Sequence, residues 1–398
     1  MALFLRSIYF VACPNRICRT NLTMPNTTKV LAGLCFLTAL GVLFSTLWPF
    51  NPFPHNRVSW LGQTDGVRFA RSGIVFSQMP LDPAGRQTVN KPCTLELWIR
   101  PTRTDSVYTI VNFYEPDNPW RFRLRQYQTG LIISHDVLGH HGTPKRIKVD
   151  VDPGLQPDKL YFISVTSGAH GTSVYLDGKF FETFLRFHIS RSDLSGQLFL
   201  GSSTAHLEPW SGEIHGFAVY SRELSANEVL ASYQDWTKSD PWLNSDPNST
   251  IARFTFSERG GDAIRNQTGA ATSLTIPMIY RVPYHSFLTP PWREFDPSWS
   301  YFWDLVRNIV GFMPLGFLLC ALLSLSMQNY RAVLYSVFSG AALSLCIEVL
   351  QAYIPQRESG MTDIITNTLG AALGALLVRF KVVQNNLKKK RLDVPVGS

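Results

Sequence analysis

The chain has 398 residues, of which 45% are hydrophobic and 17% are charged, and its formal net charge is +8. It is therefore more apolar than an ordinary soluble protein and long enough for two or more domains. The excess positive charge lies outside the central segment, because residues 51–300 hold 24 Lys and Arg against 24 Asp and Glu. A protein that binds nucleic acid needs a basic soluble domain, so this distribution argues against nucleic acid as a partner.

The N-terminal part of the chain predicts one membrane-spanning helix. Residues 30–48 are 19 consecutive residues without a charge, about the length that crosses a bilayer core of roughly 30 Å. We therefore assign residues 30–50 to a first transmembrane helix and residues 1–29 to a cytoplasmic tail. Either Met1 or Met24 is a sensible start for that tail.

Short strand-like runs separated by turn residues follow this helix. Period-two alternation is visible in residues 93–101 and 172–184, and Asp177-Gly178 is a strong hairpin signal. The other runs occupy residues 107–114, 120–127, 131–137, 159–166, 196–203 and 212–224. Strands at this spacing predict an all-β sandwich. Cys93 is its single cysteine, so a hydrophobic core and not disulfide bonds must stabilise it.

The runs "TLELWIRP", "VYLDGK" and "WSGEIHGFAVYSREL" resemble the laminin-G or concanavalin A-like jelly-roll family over residues 65–236. The resemblance implies a jelly-roll sandwich that recognises carbohydrate or protein, in some members with calcium. The segment 252–276 looks like the strand with which such domains begin, but here it follows their end. We expect it to fold back and complete the sandwich as in a circular permutation, so that the domain spans residues 51–276.

Several side chains in or near the loops of this domain could stack on or bond to a sugar. They are Trp120, Tyr127, His135, His140, His141 and Trp210. Ordinary core or surface packing is the alternative for each, because a fold does not specify its ligand. Asp105, Asp117 and Asp136 could hold calcium but form no EF-hand-like loop. The sequence predicts no other metal and no cofactor.

Three further apolar segments, at about residues 304–326, 332–353 and 361–379, predict transmembrane helices two to four within residues 303–380. Residues 277–302 are then a linker and residues 381–398 a basic cytoplasmic tail. Basic residues precede the first helix, follow the last and occupy the turn at Arg331. By the positive-inside rule both termini are cytoplasmic and the sandwich is extracytoplasmic.

Polar residues recur at helical spacing in these spans. They are Asp304 and Asn308, Glu348 and Gln351, Asp363 and Asn367, with Arg307 and Arg357 as countercharges. At a rise of about 1.5 Å per residue, Glu348 lies about 26 Å beyond Arg331 and the other pairs also lie toward the outer end. Ionisable groups inside membranes usually face the bundle interior and mark function. We therefore predict an outward-facing polar pocket among helices two to four.

Small residues and a proline accompany the pocket. Gly311, Gly316, Gly370 and Gly374 are expected to let the helices approach closely. Pro314 is expected to break helix two near the pocket. The alternative explanation is that these polar side chains bind no ligand. They would then only reach toward the membrane interface or hydrogen-bond one helix to another.

The runs "DLVRNIVGFMPLGFLL" and "IEVLQAYIPQRESGMTDIITNTLGAALG" closely resemble the VanZ-like family of small bacterial membrane proteins. The residues that match its pattern are Asn308, Pro314, Gly316, Glu348, Gln351, Arg357, Asp363, Asn367 and Gly370. The family is associated with low-level resistance to the glycopeptide teicoplanin. The inserted sandwich is a departure from its pattern.

These inferences lead to one main hypothesis and two alternatives. The main hypothesis is a protein of the bacterial plasma membrane whose sandwich binds an envelope glycan, while the helical pocket engages an anionic or polar envelope component. Arg307 and Arg357 would meet its phosphate or carboxylate, and Glu348, Asp363 and Asn367 would orient it. Membrane lipid, an envelope glycan and a lipid-linked precursor are the candidate partners, and glycopeptide resistance or envelope maintenance is the expected role. The first alternative is an intramembrane enzyme with Glu348 or Asp363 as general base; no serine or cysteine nucleophile with a matched histidine supports it. The second is a simple anchor that displays a lectin-like domain.

Overall fold

A computed structural model describes residues 26–88, 90–138, 144–202, 208–237, 248–282, 287–295, 299–355, 357 and 359–392. Within this part the chain forms two compact units. The helical unit comprises residues 26–48, 290–347 and 361–392. The sandwich unit comprises Pro49–Thr289 together with Glu348–Gly360.

The sandwich unit contains sixteen short strands in its described residues. They are β1 (Val58–Trp60), β2 (Val67–Phe69), β3 (Val75–Ser77), β4 (Cys93–Pro101), β5 (Val107–Glu115), β6 (Asn118–Tyr127), β7 (Gly130–Leu138), β8 (Pro144–Val151), β9 (Tyr161–Gly168), β10 (Gly171–Leu176), β11 (Lys179–Phe184), β12 (Gln197–Leu200), β13 (Gly212–Tyr220), β14 (Thr250–Phe254), β15 (Ala263–Ile264) and β16 (Leu274–Thr275).

The strands form two antiparallel sheets. The first has the order β1-β2-β13-β4-β9-β10-β11, with β14 also beside β13. The second has the order β15-β16-β3-β12-β5-β6-β7-β8. Apolar side chains from both sheets, such as Leu97 and Phe217 of the first and Phe113 and Leu124 of the second, share one buried core. The prediction of an all-β jelly-roll sandwich is therefore confirmed.

Local sequence explains the turn between β10 and β11 in the first sheet. Leu176 pairs with Lys179 across a two-residue turn, and both turn residues have positive φ, 51° at Asp177 and 76° at Gly178. A type I′ hairpin turn requires this left-handed conformation, which Asp and Gly adopt most readily.

The two ends of the sandwich segment run side by side. His55 and Ile279 form an antiparallel bridge, the Asn56 amide donates to the Met278 carbonyl at 3.0 Å, and the Tyr280 amide donates to the Pro54 carbonyl at 2.8 Å. The late strand β14 pairs with β13, and β16 pairs with β3. Residues after the main run of strands thus extend both sheets.

A helix that the sequence analysis did not anticipate, α2 (Ala226–Thr237), packs on the first sheet. Its start is stabilised by Ser225, whose amide and hydroxyl both donate to the Glu228 carboxylate at 2.8 and 2.7 Å. Beneath the helix lies Glu96, which has no solvent exposure. Its Oε2 atom accepts hydrogen bonds from Tyr220 at 3.0 Å and Ser232 at 2.7 Å. The helix therefore covers part of the outer face of this sheet.

The helical unit contains four long helices in its described residues. They are α1 (Asn26–Leu47), α3 (Trp299–Leu323), α4 (Asn329–Gln351) and α5 (Met361–Leu392), of which α4 ends inside the segment grouped with the sandwich. Each contains a stretch long and apolar enough to cross a membrane. A short helical turn, Pro291–Glu294, precedes α3.

Helices α3 and α5 approach each other at glycines. A Cβ atom on Gly316 would clash with the backbone of Ala371, and one on Gly374 would clash with the Met313 carbonyl. At Gly311, in contrast, a Cβ atom would meet nothing within 4 Å, so the expectation that it also permits close approach is wrong. The expected break at Pro314 is also wrong, because α3 continues through it; a proline removes one backbone hydrogen-bond donor from a helix.

Candidate functional site

The strands β5–β8 of the second sheet carry charged side chains on the face turned away from the core, here called the outer face. On β6, Phe122 and Leu124 lie in the core. Arg123 and Arg125 alternate with them and therefore point to the outer face. The register places Arg123 opposite Ser134 of β7, which in turn lies opposite Lys148 of β8.

Arg123 belongs to a compact cluster with one aromatic ring and a second arginine. Its guanidinium carbon lies 5.4 Å from the centroid of Trp120, and that of Arg146 lies 4.6 Å from the same centroid. Arginines at these distances from an indole are attracted by the negative face of the ring. Asp136 accepts a hydrogen bond from Arg146 at 3.1 Å.

Arg123, unlike Arg146, has no carboxylate from the described residues hydrogen-bonded to it. Its side chain is buried, with 1% exposure, and among the described residues none of its three guanidinium nitrogens has a hydrogen-bond partner. Burial and the nearby charges of Arg146 and Arg125 lower the pKa of Arg123 to about 9, although the carboxylates of Glu208 and Asp136 act in the opposite direction. The group is therefore still a cation at neutral pH, held in an environment that disfavours its charge.

The structure separates the four side chains predicted to bind a ligand in the sandwich. Trp120 is half-buried in the arginine cluster, whereas Tyr127 is 49% exposed at the β6–β7 turn. His135 is buried, with its ring against Phe187. Trp210 has no exposure and lies in the core, so the prediction that it stacks on a sugar is wrong. His140 and His141 lie outside the described residues.

Two of the three carboxylates considered for calcium, Asp105 and Asp136, have other partners. Asp105 accepts hydrogen bonds from Arg103 and from the Tyr108 hydroxyl at 2.7 Å, and these bonds lower its pKa to about 2. Asp136 is bonded to Arg146. In the part of the chain that is described, no three His, Cys, Asp or Glu side chains are grouped so that they could hold a metal ion.

In the helical unit, several predicted pocket residues bond to one another between helices. The Asn308 amide on α3 donates to the Asp363 carboxylate on α5 at 2.7 Å. The Asn367 amide on α5 donates to the Ser344 hydroxyl on α4 at 3.0 Å. Asn367 has 4% exposure. These bonds connect α3, α4 and α5, as expected for polar groups that glue membrane helices together.

Two further pairs lie near helix ends. Arg307 and Asp304 form an exposed ion pair within α3, with a 2.8 Å separation. Glu348, 1% exposed, accepts a hydrogen bond from the Gly360 amide at 2.8 Å and so closes the loop that follows α4.

The remaining two predicted pocket residues lie at the start and middle of this loop. Gln351, at the end of α4, is buried with 7% exposure. Arg357 is half-buried, and its amide donates to the Ile354 carbonyl at 3.0 Å.

Arg123 and Arg146 were not among the candidate site residues predicted from the sequence. A signal for Arg123 was present, because in "WRFRLR" basic residues alternate with apolar ones, and period-two alternation places such residues on one face of a strand. That Arg123 is buried there depends on neighbouring strands and could not be seen locally.

Two family models match separate stretches of the chain. Residues 77–230 match the model of the concanavalin A-like lectin/glucanases superfamily, and residues 249–382 match the VanZ/LLP1 model. The chain is therefore a membrane protein that carries a concanavalin A-like sandwich. More particularly, its membrane part is VanZ-like, and both resemblances predicted from the sequence are confirmed. A search of curated proteins finds no match.

Solved structures with a similar sandwich are distant. The receptor binding domain of botulinum neurotoxin C/D mosaic serotype is 16% identical with a TM-score of 0.34, and the match covers 45% of either chain. A candidate carbohydrate-binding protein from Bacteroides ovatus is 16% identical with a TM-score of 0.36, over 54% of this chain and 58% of that one. A heptameric SAP-like pentraxin from Limulus polyphemus is 13% identical with a TM-score of 0.33, over 56% of this chain and 94% of that one. The chain thus spans less than half the length of the first of these structures.

Proposed function

We propose that this membrane protein displays its sandwich outside the bacterial plasma membrane and that the outer face of β5–β8 binds an envelope glycan. The observation that carries the proposal is the cluster of one aromatic ring and two arginines on the outer face of β5–β8. There the half-buried Trp120 lies against Arg123 and Arg146, of which Arg146 is partly exposed. Aromatic rings beside polar groups are the usual elements of a ligand site.

The distribution of charge supports the proposed orientation. Basic residues flank the first and last spans on one side, and Arg331 lies in the first turn of α4, on that same side if four helices cross. Cytoplasmic loops are enriched in Lys and Arg. A cysteine introduced at exposed Tyr127 should react with a membrane-impermeant maleimide on intact cells, and one at Arg331 should react only after lysis. The opposite pattern would contradict the orientation.

The VanZ-like part is proposed to anchor the sandwich, with its polar side chains holding the helices together. The bonds of Asn308 to Asp363 and of Asn367 to Ser344 support this role. An intramembrane enzyme and a contribution to glycopeptide resistance stay predictions from the sequence.

Glycan binding is tested with purified full-length protein in detergent on an array of bacterial envelope glycans. We expect binding that Trp120→Ala weakens at least about tenfold, since stacking on an aromatic ring is a large part of such affinity. Phe181→Ala is the control, because it removes a partly exposed aromatic ring (39% exposure) from β11 of the first sheet, away from the proposed face, and should keep full binding. Equal binding by both variants would place the site elsewhere, and no binding by the wild-type protein would reject the function.

A further inference from the structure

We propose that the outer face of β5–β8 contains an anion site, in which Arg123 binds a carboxylate, sulfate or phosphate group of the ligand. The inference deepens the proposed glycan-binding function, on which it rests, by specifying that the glycan is acidic.

The neighbouring cations of the outer face each have a carboxylate partner. Arg125 lies 3.3 Å from Glu208 and Arg146 lies 3.1 Å from Asp136. Lys148 lies 3.4 Å from Asp150. Within the described part of the chain, Arg123 has no such partner. Glu208 and Asp136 favour the Arg123 cation through their charge, but neither is hydrogen-bonded to it, so the guanidinium lacks a direct acceptor among the residues that the structure describes at this place.

Arg123 is also the most deeply buried cation of this group. Its exposure is 1%, against side-chain exposures of 15% for Arg125, 35% for Arg146 and 56% for Lys148. Burying an unpaired charge is unfavourable because water no longer solvates it. A bound anion would supply both the missing charge and the missing hydrogen-bond acceptors.

The chemistry of the guanidinium specifies the class of ligand. Its five N–H donors lie in one plane and match two oxygens of a carboxylate, sulfate or phosphate. Arg146 and half-buried Trp120 connect Arg123 with the surface, since Arg146 lies against the same indole ring and is partly exposed. An acidic saccharide could place its anionic group at Arg123 and its ring near Trp120.

The experiment compares two probes that differ only in charge. Full-length protein in detergent micelles is titrated with an oligogalacturonate and with its methyl ester, and inorganic phosphate is the third probe. We expect the acid to bind about 10- to 100-fold more tightly than the ester, the range expected for a charge-assisted hydrogen-bonded pair. Arg123→Gln should reduce binding of the acid to that of the ester. Lys148→Gln removes a charge from the same face at an exposed position and should change the Kd by less than about twofold.

A second measurement separates binding from a structural role. Without ligand, Arg123→Met should leave the melting temperature unchanged or raise it, because it removes an unpaired buried charge. A lower melting temperature together with unchanged binding of the acid would show a structural arginine and overturn the inference.

The probes also separate the two proposals. Equal binding of acid and ester would reject the anion site but retain glycan recognition. Stabilisation by phosphate that Arg123→Gln abolishes, without saccharide binding, would retain the anion site and reject the glycan. A wild-type protein that responds to none of the three probes would reject both.

Discussion

Trp210 offers a direct test of the distinction between core and ligand site. Its indole nitrogen donates to the Gln126 side-chain carbonyl at 2.8 Å, and its ring centroid lies 5.9 Å from that of Phe69. The Gln126 amide nitrogen is already engaged with the carbonyls of Arg103 and Gln128. Trp210→Phe would therefore leave a buried carbonyl oxygen without its donor.

The expected cost has two parts. An unsatisfied buried acceptor costs about 1–3 kcal/mol, and the smaller ring adds about 1 kcal/mol for the space it leaves. The sum, about 2–4 kcal/mol, corresponds to a decrease in melting temperature of roughly 4–16 °C for a domain of this size.

The assay is thermal unfolding of full-length protein in detergent, followed by glycan titration below the transition. Trp120→Phe is the control, because it replaces an indole outside the core with a smaller ring and should shift the melting temperature by less than about 2 °C. A Trp210→Phe protein with unchanged stability and weakened glycan binding would refute the assignment of Trp210 to the core.

Two further predictions concern buried groups in each unit. Burial raises the pKa of Glu96 above its usual value of 4.5, so the folded state holds this proton more tightly than the unfolded chain and stability falls as pH rises from 4.5 toward the folded pKa. As pH rises through this range, the unfolding free energy of the wild-type protein should fall relative to that of Glu96→Gln, which has no proton to lose. A difference between the two proteins that does not change with pH would contradict the raised pKa of Glu96. Gly374→Val should destabilise the helical unit by about 1–3 kcal/mol in detergent melts because its side chain meets the Met313 backbone. Gly311→Val has open space and is the control; equal effects would show that the close approach is not important.

Long, regular patterns were sufficient to predict much of the fold. The strand Cys93–Pro101 agrees with its predicted bounds, because nine residues contain several periods of alternation. The three-residue strands β1–β3 were missed since so short a segment has no period to detect. Helix α2 was missed as a helix although Ser225 and Glu228 have the spacing of a capping box.

The candidate sites were less predictable, because burial is decided by distant partners. Trp210 follows a turn and looked accessible, but β2 and β6 supply Phe69 and Gln126 around it. Conversely, the sequence shows no sign that Arg123 differs from the two other arginines of "WRFRLR". In the structure its neighbours bury it, with 1% exposure. In the helices, the spacing of polar residues was enough to predict that Asn308, Asp363 and Asn367 lie inside the bundle. It did not reveal that Ser344 accepts a hydrogen bond from Asn367.

The pairing of residues 54–56 with 278–280 constrains the order of folding during synthesis. The segment that closes the sandwich is made more than 200 residues after the segment it pairs with, and pairings of such separation form slowly. Both sheets also await late strands, β14 for the first and β16 for the second. A ribosome that stalls before residue 280 would therefore leave an open sandwich with unpaired edges, and interrupted synthesis is expected to make this chain aggregate.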